Sequence, residues 1–550
     1  MTGAGTGVRL GFAVMELVRA YGVDTVWGIP GTHNLELYRP LTELGIRAIT
    51  TRHEQGAGYA ADAWAQRTGL PGVLITTSGP GLLNALSAAA TAFCESRPLL
   101  ILSPGPPRGA EYSDNGDLHE TLDSIGAVRG VIGHSHRVVD GTDALRAVQD
   151  AFAQFAGPRP RPVHIEIPMD LLESDYDGPE QLRTVRAVAA PEPADADAIA
   201  LAATRLASAA RVVIVAGGGA VRCADEVRDL AATLQAPVLT SINAKGVLDE
   251  TGQLALGSEL RLASAKEFIE EAEVVLVIGT TLGAAELWDQ RLSPRGTVIR
   301  VEVDPDRIHL NLHSDIALVG DARAVLPQLL RALPSMLVRA SADLESVREL
   351  LRAEVQRIAP DVVERATDIL AGLPADVIIS GDSSQIVYLG VCSVWQAREP
   401  STLLYMPTYA TLGYGLPAAI GAKVADPHRP VVCVIGDGAL MFSVQELATA
   451  CELGLDLTVV CVDNGGYAEI RQNERDAGIA PIGVDLWQPD WAGLATAFGG
   501  SGVRVGAEES VTEAVRAAVA MDGVTLVHVV MPPRIPECDV SGGGAGGGAG

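Results

Sequence analysis

Two oxygen-bearing side chains, Asp437 and Asn464, each follow an apolar run that reads as a β-strand, VVCVIG before the first and LTVVCVD before the second. In open α/β sheets, ligands bind at the carboxyl ends of the strands. Mg²⁺ typically takes one or two protein oxygens together with diphosphate oxygens, and Gly438 would let a phosphate approach the backbone closely. The spacing predicts a site for a metal-bridged diphosphate. For the GDG triplet alone, the alternative is a tight turn with a helix cap.

A crossover helix must connect these two strands, and its pattern predicts residues 443–453. Short β-branched runs alternate with amphipathic helix patterns along the whole chain, which favours parallel sheets covered by helices on both faces. A polar stretch at 175–195 reads as a linker. The predicted fold class is α/β, with three doubly wound parallel-sheet domains. The predicted domains are 1–175, 190–335 and 360–540, followed by a disordered Gly-rich tail at 541–550.

The chain of 550 residues carries a formal net charge of −27. This charge argues against nucleic-acid and acidic-membrane partners, because their phosphate groups would repel it. No apolar stretch is long enough to span a bilayer, and the N-terminus lacks the basic start and apolar core of a signal peptide. We therefore expect a cytoplasmic protein with no nucleic-acid or membrane partner.

Three stretches together resemble a known family. GDG at 436–438, a gap of 24 residues, and then Asp463 and Asn464 resemble the thiamine-diphosphate motif, which usually ends in two asparagines. TTRHEQGAGYAADAWAQRTG (50–69) and TYATLGYGLPAAIGAKVA (408–425) are similar to segments of the acetolactate synthase and 2-oxo-acid decarboxylase superfamily. The resemblance covers nearly the whole chain, in the order pyrimidine-binding, central nucleotide-type and diphosphate-binding domain. It implies an enzyme that depends on thiamine diphosphate and Mg²⁺.

The resemblance also implies roles for individual residues. Glu54 would bond the pyrimidine ring of the cofactor and favour the tautomer that removes a proton from the thiazolium carbon. Leu412 would wedge beneath the cofactor, and Asp463 would support its loop without binding metal. The implied metal ligands are Asp437, Asn464 and the backbone carbonyl of Gly466. The implied cofactor-binding set is Glu54, Gly381, Asp382, Ser383, Ser384, Gln385, Thr411, Leu412, Gly436, Asp437, Gly438, Ala439, Asn464, Gly466 and Tyr467.

Several segments depart from the acetolactate synthases. His119, in DLHET, stands where they have a glutamine, and GTTLGAAELW replaces the Arg/Asp-rich segment typical of their flavin site, so FAD is doubtful. GIPGTHNLELYR, GYAEI and IAPIGVDLWQPDW are instead similar to the 5-guanidino-2-oxopentanoate (2-ketoarginine) decarboxylases. A guanidinium substrate favours carboxylate partners, and the candidates are Glu120, Glu469 and Asp485, with solvated surface positions as the alternative. His119 could exchange a proton with the reacting substrate, with a structural histidine as the alternative.

The predicted function is decarboxylation of a small 2-oxo acid, in its most specific form the conversion of 5-guanidino-2-oxopentanoate to 4-guanidinobutanal and carbon dioxide. An acetolactate-synthase-like carboligase, which joins the decarboxylated fragment to a second carbonyl, is the alternative within the family. A catalytically silent, cofactor-binding regulatory protein is the alternative from another class, and the retained Glu54, Asp437 and Asn464 argue against it. The resemblance implies a homodimer or homotetramer, in which Glu54 of one chain serves the cofactor held by its partner.

Overall fold

A computed structural model of the chain describes residues 7–288, 291–335, 337, 343–506 and 508–531. Three parallel β-sheets, each combined with helices, make up this part of the protein. The predicted class, three doubly wound α/β domains, is confirmed. The Gly-rich tail predicted at 541–550 lies outside the described residues.

The N-terminal sheet contains six parallel strands in the order β2-β1-β3-β4-β6-β5. Its strands are β1 (Thr25–Gly28), β2 (Arg47–Thr50), β3 (Gly72–Ile75), β4 (Leu99–Gly105), β5 (Ser135–Arg137) and β6 (Val163–Pro168). The accompanying helices are α1 (Leu10–Ala20), α2 (Leu35–Tyr38), α3 (Glu54–Thr68), α4 (Pro80–Asn84), α5 (Leu86–Cys94), α6 (Ser124–Ile132), α7 (Gly141–Ala156) and α8 (Met169–Leu172). Strands β3 and β4 are buried along their whole length, because helices cover both faces of the sheet.

The central sheet contains five parallel strands in the order β11-β10-β9-β7-β8. Its strands are β7 (Val212–Ala216), β8 (Val238–Thr240), β9 (Val274–Ile278), β10 (Thr297–Glu302) and β11 (Ile316–Val319). The helices are α9 (Ala196–Ser208), α10 (Ala224–Leu234), α11 (Ala263–Glu270), α12 (Ala284–Leu287) and α13 (Ala322–Ala332), and α14 (Leu344–Ile358) and α15 (Pro360–Leu370) lead to the next domain. Alternate side chains of β7 enter two separate apolar clusters, one on each face of the sheet.

The C-terminal sheet contains six parallel strands in the order β13-β12-β14-β15-β17-β16. Its strands are β12 (Ile378–Ser380), β13 (Leu403–Leu404), β14 (Val431–Gly436), β15 (Leu457–Asp463), β16 (Ser501–Val505) and β17 (Val524–Val530). The helices are α16 (Cys392–Val394), α17 (Gly415–Ala425), α18 (Asp437–Leu440), α19 (Glu446–Glu452), α20 (Ala468–Asp476), α21 (Trp491–Ala497) and α22 (Val511–Val519), with a π-helical segment at Ile386–Val391. The crossover helix predicted over 443–453 is shorter in the structure, where α19 is Glu446–Glu452. Asp437 begins a separate helical turn, α18.

The N-terminal and C-terminal domains share one continuous apolar core. Their main contact is between α3, which begins at Glu54, and α17, which follows Leu412. The three sheets locate the three domains, whereas the predicted domain boundaries stay predictions. In the described part of the chain, no helix is both long and apolar enough to cross a membrane. The predicted cytoplasmic location also stays a prediction.

Candidate active site

Three neighbouring strands of the C-terminal sheet carry the predicted diphosphate residues at their carboxyl ends. The segment 381–385 follows β12, Asp437 follows β14, and Asn464 follows β15. In the parallel register between β14 and β15, Gly436 is paired with Val462. The register therefore brings both predicted side-chain ligands to one edge of the sheet, where ligands of such sheets bind.

Asp437 is held in a fixed orientation at this edge. Its side chain is 1% exposed, and Gln488 Nε2 donates a hydrogen bond of 2.6 Å to its Oδ2. The Gln488 side chain in turn accepts a hydrogen bond of 3.1 Å from the indole of Trp491. Burial, together with the negative charge of Asp463, raises the pKa of Asp437 to about 6. A carboxylate in such surroundings is stabilised by a bound cation.

The neighbouring groups fit a Mg²⁺ ion bridged to a diphosphate. Asn464 Oδ1 is buried and has no hydrogen-bond partner among the described residues, so an oxygen is left for a ligand. Gly466 has a φ of +132°, and a Cβ there would lie 2.2 Å from the Val484 carbonyl, so the turn requires glycine. The described residues contain no group of three or more His, Cys, Asp or Glu that could hold a metal. A mixed set of carboxylate, amide and carbonyl oxygens agrees with this, because Mg²⁺ in such sites takes its other ligands from phosphate and water.

Two small residues, Gly438 and Ala439, follow Asp437 in the short helix α18. A Cβ on Gly438 would lie 2.8 Å from the Tyr467 ring, so the ring packs directly on the backbone of the short helix α18. Ala439 is the next residue of that helix and is buried. The Tyr467 ring therefore leaves no room for a side chain at position 438.

Asp382 connects the three predicted cofactor segments. Its Oδ1 accepts a hydrogen bond of 2.6 Å from Ser384, and its Oδ2 accepts one of 3.0 Å from the Gly413 amide. The Ser384 hydroxyl also accepts a hydrogen bond of 3.0 Å from the Gly436 amide. Burial raises the pKa of Asp382 to about 6. The loop 381–385 is therefore joined to both the GDG turn and the segment around Leu412.

Thr411 and Leu412 lie where that segment meets the N-terminal domain. Thr411 Oγ1 is 3.0 Å from the Tyr59 hydroxyl on α3. Leu412 is partly buried against the shared apolar core. The other predicted loop residues, Gly381 and Ser383, lie directly after β12, and the Ser383 hydroxyl is 3.5 Å from that of Tyr405.

Both carboxylate oxygens of Asp463 have hydrogen-bond partners in the C-terminal domain. Its Oδ1 accepts a hydrogen bond of 2.9 Å from the Gly465 amide, and its Oδ2 lies 2.9 Å from His528 Nε2 on β17. Burial alone would raise the pKa of Asp463, but the hydrogen bonds from His528 and the Gly465 amide outweigh it and hold the pKa below its usual range. Both oxygens are thus used to shape the turn that presents Asn464.

The second group of predicted residues lies at the carboxyl edge of the N-terminal sheet. Glu54 begins α3, is 7% exposed, and accepts a hydrogen bond of 3.0 Å from Asn84 Nδ2. A Cβ on Gly81 would lie 3.1 Å from the other carboxylate oxygen of Glu54. This oxygen accepts no hydrogen bond from the described residues, so it can receive one from a ligand.

His119 lies near the same edge, in the long connection after β4. Its φ of +62° is in the left-handed region, and its Nδ1 is buried without a partner among the described residues. Its ring meets the edge of the His33 ring at 5.1 Å, and His33 Nδ1 is 2.6 Å from the Ser78 hydroxyl. Burial, assisted by His119, lowers the pKa of His33. The positive φ and the unpartnered nitrogen mark His119 as a strained, available group.

The three candidate substrate carboxylates lie in different surroundings. Glu469 accepts hydrogen bonds from Gln385 at 2.6 Å and from the Tyr388 hydroxyl at 3.0 Å. Asp485 lies 2.7 Å from Arg471 and so already has a cationic partner. Glu120 caps its own loop, because the Asn115 and Gly116 amides donate to it, and these amides hold its pKa below the usual range.

The site residues thus form two groups on two sheets, and no hydrogen bond or ion pair between described residues joins Glu54 or His119 to Asp437 or Asn464. The sequence had not singled out Gln488, Asn84 and Ser78, which orient the predicted residues. Polar side chains of this kind carry no spacing signal of their own. The family-like stretches had drawn attention only to their neighbourhoods: residues 479–491 include Gln488, and residues 50–86 include Ser78 and Asn84.

Comparison with known proteins agrees with this arrangement. The thiamine pyrophosphate enzyme family matches in three parts: its N-terminal TPP binding domain over residues 8–127, its central domain over 199–329 and its C-terminal TPP binding domain over 388–529. The chain therefore belongs to the thiamine pyrophosphate enzymes, and its cofactor is thiamine diphosphate.

Within the family, the chain is 38% identical over 531 residues to a probable 2-ketoarginine decarboxylase from Pseudomonas aeruginosa, an alignment that covers 94% of this chain and 93% of that protein. It is 32% identical over 557 residues to the acetolactate synthase large subunit of Parasynechococcus marenigrum, with 94% and 86% covered. It is 29% identical over 554 residues to a probable acetolactate synthase large subunit of Methanocaldococcus jannaschii, with 95% and 91% covered. The resemblance inferred from the motifs is confirmed.

Proposed function

We propose that this enzyme decarboxylates 5-guanidino-2-oxopentanoate to 4-guanidinobutanal and carbon dioxide, with thiamine diphosphate and Mg²⁺ as cofactors. Similarity to a probable 2-ketoarginine decarboxylase along nearly the whole of both chains supports this substrate. The structural observation that carries the proposal is Glu469, beside the predicted diphosphate loop. Its carboxylate accepts from the neutral donors Gln385 and Tyr388 and forms no ion pair with the described residues, so its charge is available to a cationic substrate.

When bound, thiamine diphosphate supplies the nucleophilic carbon for the keto group and the electron sink for the pair that remains when carbon dioxide leaves. Glu54, oriented by Asn84, would share a proton with the pyrimidine nitrogen. Asp437 and Asn464 would hold Mg²⁺ against the diphosphate. His119, whose Nδ1 is unpartnered, would carry a proton to or from the reacting carbon.

Assays of carbon dioxide release with a panel of 2-oxo acids, with identification of each product, test this proposal. We expect a higher kcat/KM for 5-guanidino-2-oxopentanoate than for pyruvate, and a free aldehyde as product. Glu54→Gln should lower kcat by ~100-fold or more, because the carboxyl proton is needed in the reaction. Glu43→Gln, at an exposed position of the same domain, should leave kcat unchanged.

Each part of the proposal has its own contrary outcome. Equal kcat/KM values for pyruvate and the guanidino acid would remove the substrate assignment. Full turnover by Glu54→Gln would remove the role of this carboxylate. Accumulation of acetolactate from pyruvate would instead support the carboligase alternative, for which the 32% identity to an acetolactate synthase large subunit is weaker support than the 38% identity to a probable decarboxylase is for the proposal.

We also infer that the active enzyme is at least a homodimer, with each cofactor held between two chains. Large apolar side chains are exposed near both groups of site residues. Leu118 and Leu122 lie on the side of the N-terminal domain, and Ile482 and Trp487 lie on the side of the C-terminal domain. Exposed apolar patches of this kind are typical of surfaces that bind a partner. Burial between two copies would bring the two half-sites together.

A further inference from the structure

A cavity of about 210 Å³ lies where the central and C-terminal domains meet. Its wall includes Ser383 of the predicted diphosphate loop and Ala410, which directly precedes Thr411. The central domain contributes Glu286 and Trp288 from the end of α12. The cavity thus extends from the predicted cofactor segments into the central domain.

Glu286 is a carboxylate without a counterion in this cavity. The Thr280 hydroxyl lies 2.9 and 2.8 Å from its two oxygens. No Lys or Arg in the described part of the chain forms an ion pair with it. Burial raises the pKa of Glu286 despite the Thr280 hydrogen bond, and the negative charge of Glu95 acts in the same direction. A partly buried carboxylate without an ion-pair partner gains most from a ligand that brings a positive charge.

Two arginines near Glu286, Arg261 in the cavity wall and Arg300, form hydrogen bonds or ion pairs with other groups. Arg261 lies 2.9 Å from Glu259 and donates a hydrogen bond of 3.0 Å to the Ser393 hydroxyl. Arg300 donates to backbone carbonyls, including that of Thr280 at 2.9 Å. Neither arginine forms an ion pair with Glu286, and only the charge of Arg300 attracts it from a distance, so the carboxylate is incompletely compensated.

The aromatic walls of the cavity suit a planar cation. Trp288 and Tyr388 meet edge to face with ring centroids 6.4 Å apart, and Tyr405 adds a third ring. Arg261 already lies over the Trp288 ring, 4.6 Å from its centroid, so this ring accepts a guanidinium in the protein itself. The Tyr388 hydroxyl also donates to Glu469, so the cavity wall contacts the other candidate carboxylate for the substrate.

We propose that this cavity receives the guanidinium end of the substrate and that Glu286 is the residue that determines specificity for it. The proposal rests on the proposed function and deepens it. A guanidinium presents two parallel N–H groups that match the two oxygens of a carboxylate. Glu286 is partly buried, whereas Glu469 is exposed to solvent, so the charge of Glu286 is screened less and discriminates more strongly.

An anion is the competing occupant, because Arg261 Nη1 and Ser241 Oγ are buried without partners among the described residues. The charge of Arg261 is already balanced by Glu259, and the Ser241 hydroxyl can accept a hydrogen bond as well as donate one. Arg261 in the cavity wall therefore has an ion-pair partner, whereas Glu286 has none among the described residues. The two occupants predict opposite effects for substitutions at Glu286 and Arg261.

The test compares two substrates of the full-length enzyme loaded with thiamine diphosphate and Mg²⁺. These are 5-guanidino-2-oxopentanoate and its neutral isostere 5-ureido-2-oxopentanoate. Glu286→Gln should raise KM for the guanidino acid by ~10- to 100-fold, as expected for loss of a charged hydrogen-bond partner, and leave KM for the ureido acid unchanged. Glu267→Gln, on the exposed face of α11, is the matched control and should change neither constant.

Calorimetry with 4-guanidinobutanoate, which cannot be decarboxylated in this reaction, provides a readout independent of turnover. Its Kd should rise with Glu286→Gln by a similar factor. Trp288→Leu removes one aromatic wall of the cavity and should also raise the Kd of 4-guanidinobutanoate. Because Trp288 is 45% exposed, this variant should fold, so the proposal can still be tested if Glu286→Gln does not fold.

Three outcomes overturn the proposal. Unchanged constants in Glu286→Gln, while the wild type still decarboxylates the guanidino acid, would place recognition elsewhere and leave the proposed function intact. Tighter binding of 4-guanidinobutanoate by Glu286→Gln, with weaker binding by Arg261→Gln, would show an anion site. A wild-type enzyme that turns over other 2-oxo acids and neither binds nor decarboxylates guanidino compounds would overturn the proposed substrate and this inference together.

Discussion

Asp437 and Asp463 end neighbouring strands, yet their carboxylates have different partners. Asp463 uses both oxygens within its own sheet, whereas Asp437 has a single side-chain donor, Gln488. We expect Asp463→Asn to change Mg²⁺ affinity by no more than ~3-fold, because asparagine retains an acceptor for the Gly465 amide. Asp437→Asn should weaken it by at least ~10-fold, because it removes a charged ligand.

Trp491 offers a direct measurement of this difference. Its indole donates to the Gln488 side chain, which in turn donates to Asp437, and the ring is fully buried. Titration of Mg²⁺ in the presence of thiamine diphosphate can therefore be followed by tryptophan fluorescence. Greatly altered affinity in Asp463→Asn would show that Asp463 has a larger role than support of its loop.

Asp382 makes the stability of the cofactor-free protein depend on pH. Burial raises its pKa in the folded protein to about 6, above the value of ~4 for an unfolded chain. The folded state therefore holds this proton more tightly, and stability from this group is lost as pH rises from 4 through 6. Asp382→Asn cannot ionise, so its stability relative to the wild type should increase by ~2–3 kcal/mol between pH 4 and pH 7.

Thermal unfolding midpoints of both apo-proteins across this pH range test the prediction. Asp522→Asn, at an exposed position, is the control and should follow the wild type at every pH. A constant difference between Asp382→Asn and the wild type would show that Asp382 is not the titrating group.

At the scale of elements, the contact between α3 and α17 aligns the segments of Glu54 and Leu412. A Cβ on Gly421 of α17 would lie 2.1 Å from the Ala60 carbonyl oxygen of α3. Because this neighbour is backbone, Gly421→Ala must separate the helices, and we expect a loss of ~1–3 kcal/mol in the free energy of unfolding. The Kd of thiamine diphosphate should rise as well, since Tyr59 on α3 contacts Thr411.

Gly130→Ala is the matched control for this helix substitution. Gly130 lies inside α6, and a Cβ there would have no neighbour within 4 Å. Alanine should therefore stabilise the protein by ~0.5–1 kcal/mol through its higher helix propensity. If both substitutions had the same effect on the unfolding midpoint, close packing of α3 on α17 would not be the cause.

The elements that could be predicted from the sequence are those with a continuous apolar run. The central strands β3, β4, β9, β14 and β15 have such runs because helices bury both of their faces. Strands at the edges of the sheets have shorter or less apolar runs. Five such edge strands are β2, β5, β11, β13 and β16. Edge strands such as β2 and β16 are half exposed or very short, so their pattern resembles that of a loop.

The candidate site divides in a similar way. Asp437 and Asn464 could be predicted because the chemistry requires fixed residue types at the ends of two strands. Glu286 and Asn84 could not, because their roles depend on which distant segments the fold brings beside them. Side chains selected by tertiary contact leave no periodic or spacing signal in the chain.

At the scale of the whole molecule, the proposed homodimer determines which chains contribute to one active site. If each cofactor lies between two chains, Glu54 from one chain acts with Asp437 from its partner. A site within a single chain would need no partner at all. Mixed dimers of two inactive variants distinguish these arrangements, because the two defects fall on different sites only in the first case.

We predict that Glu54→Gln and Asp437→Asn are each inactive alone but form an active hybrid when the differently tagged chains are co-expressed and purified through both tags. One site of each hybrid pair then receives both substitutions and the other receives neither, so activity should reach about half that of the wild type. Hybrids prepared from two differently tagged Glu54→Gln chains are the control and should stay inactive. An inactive hybrid, or an active wild-type monomer by light scattering, would instead place Glu54 and Asp437 of the same chain in one site.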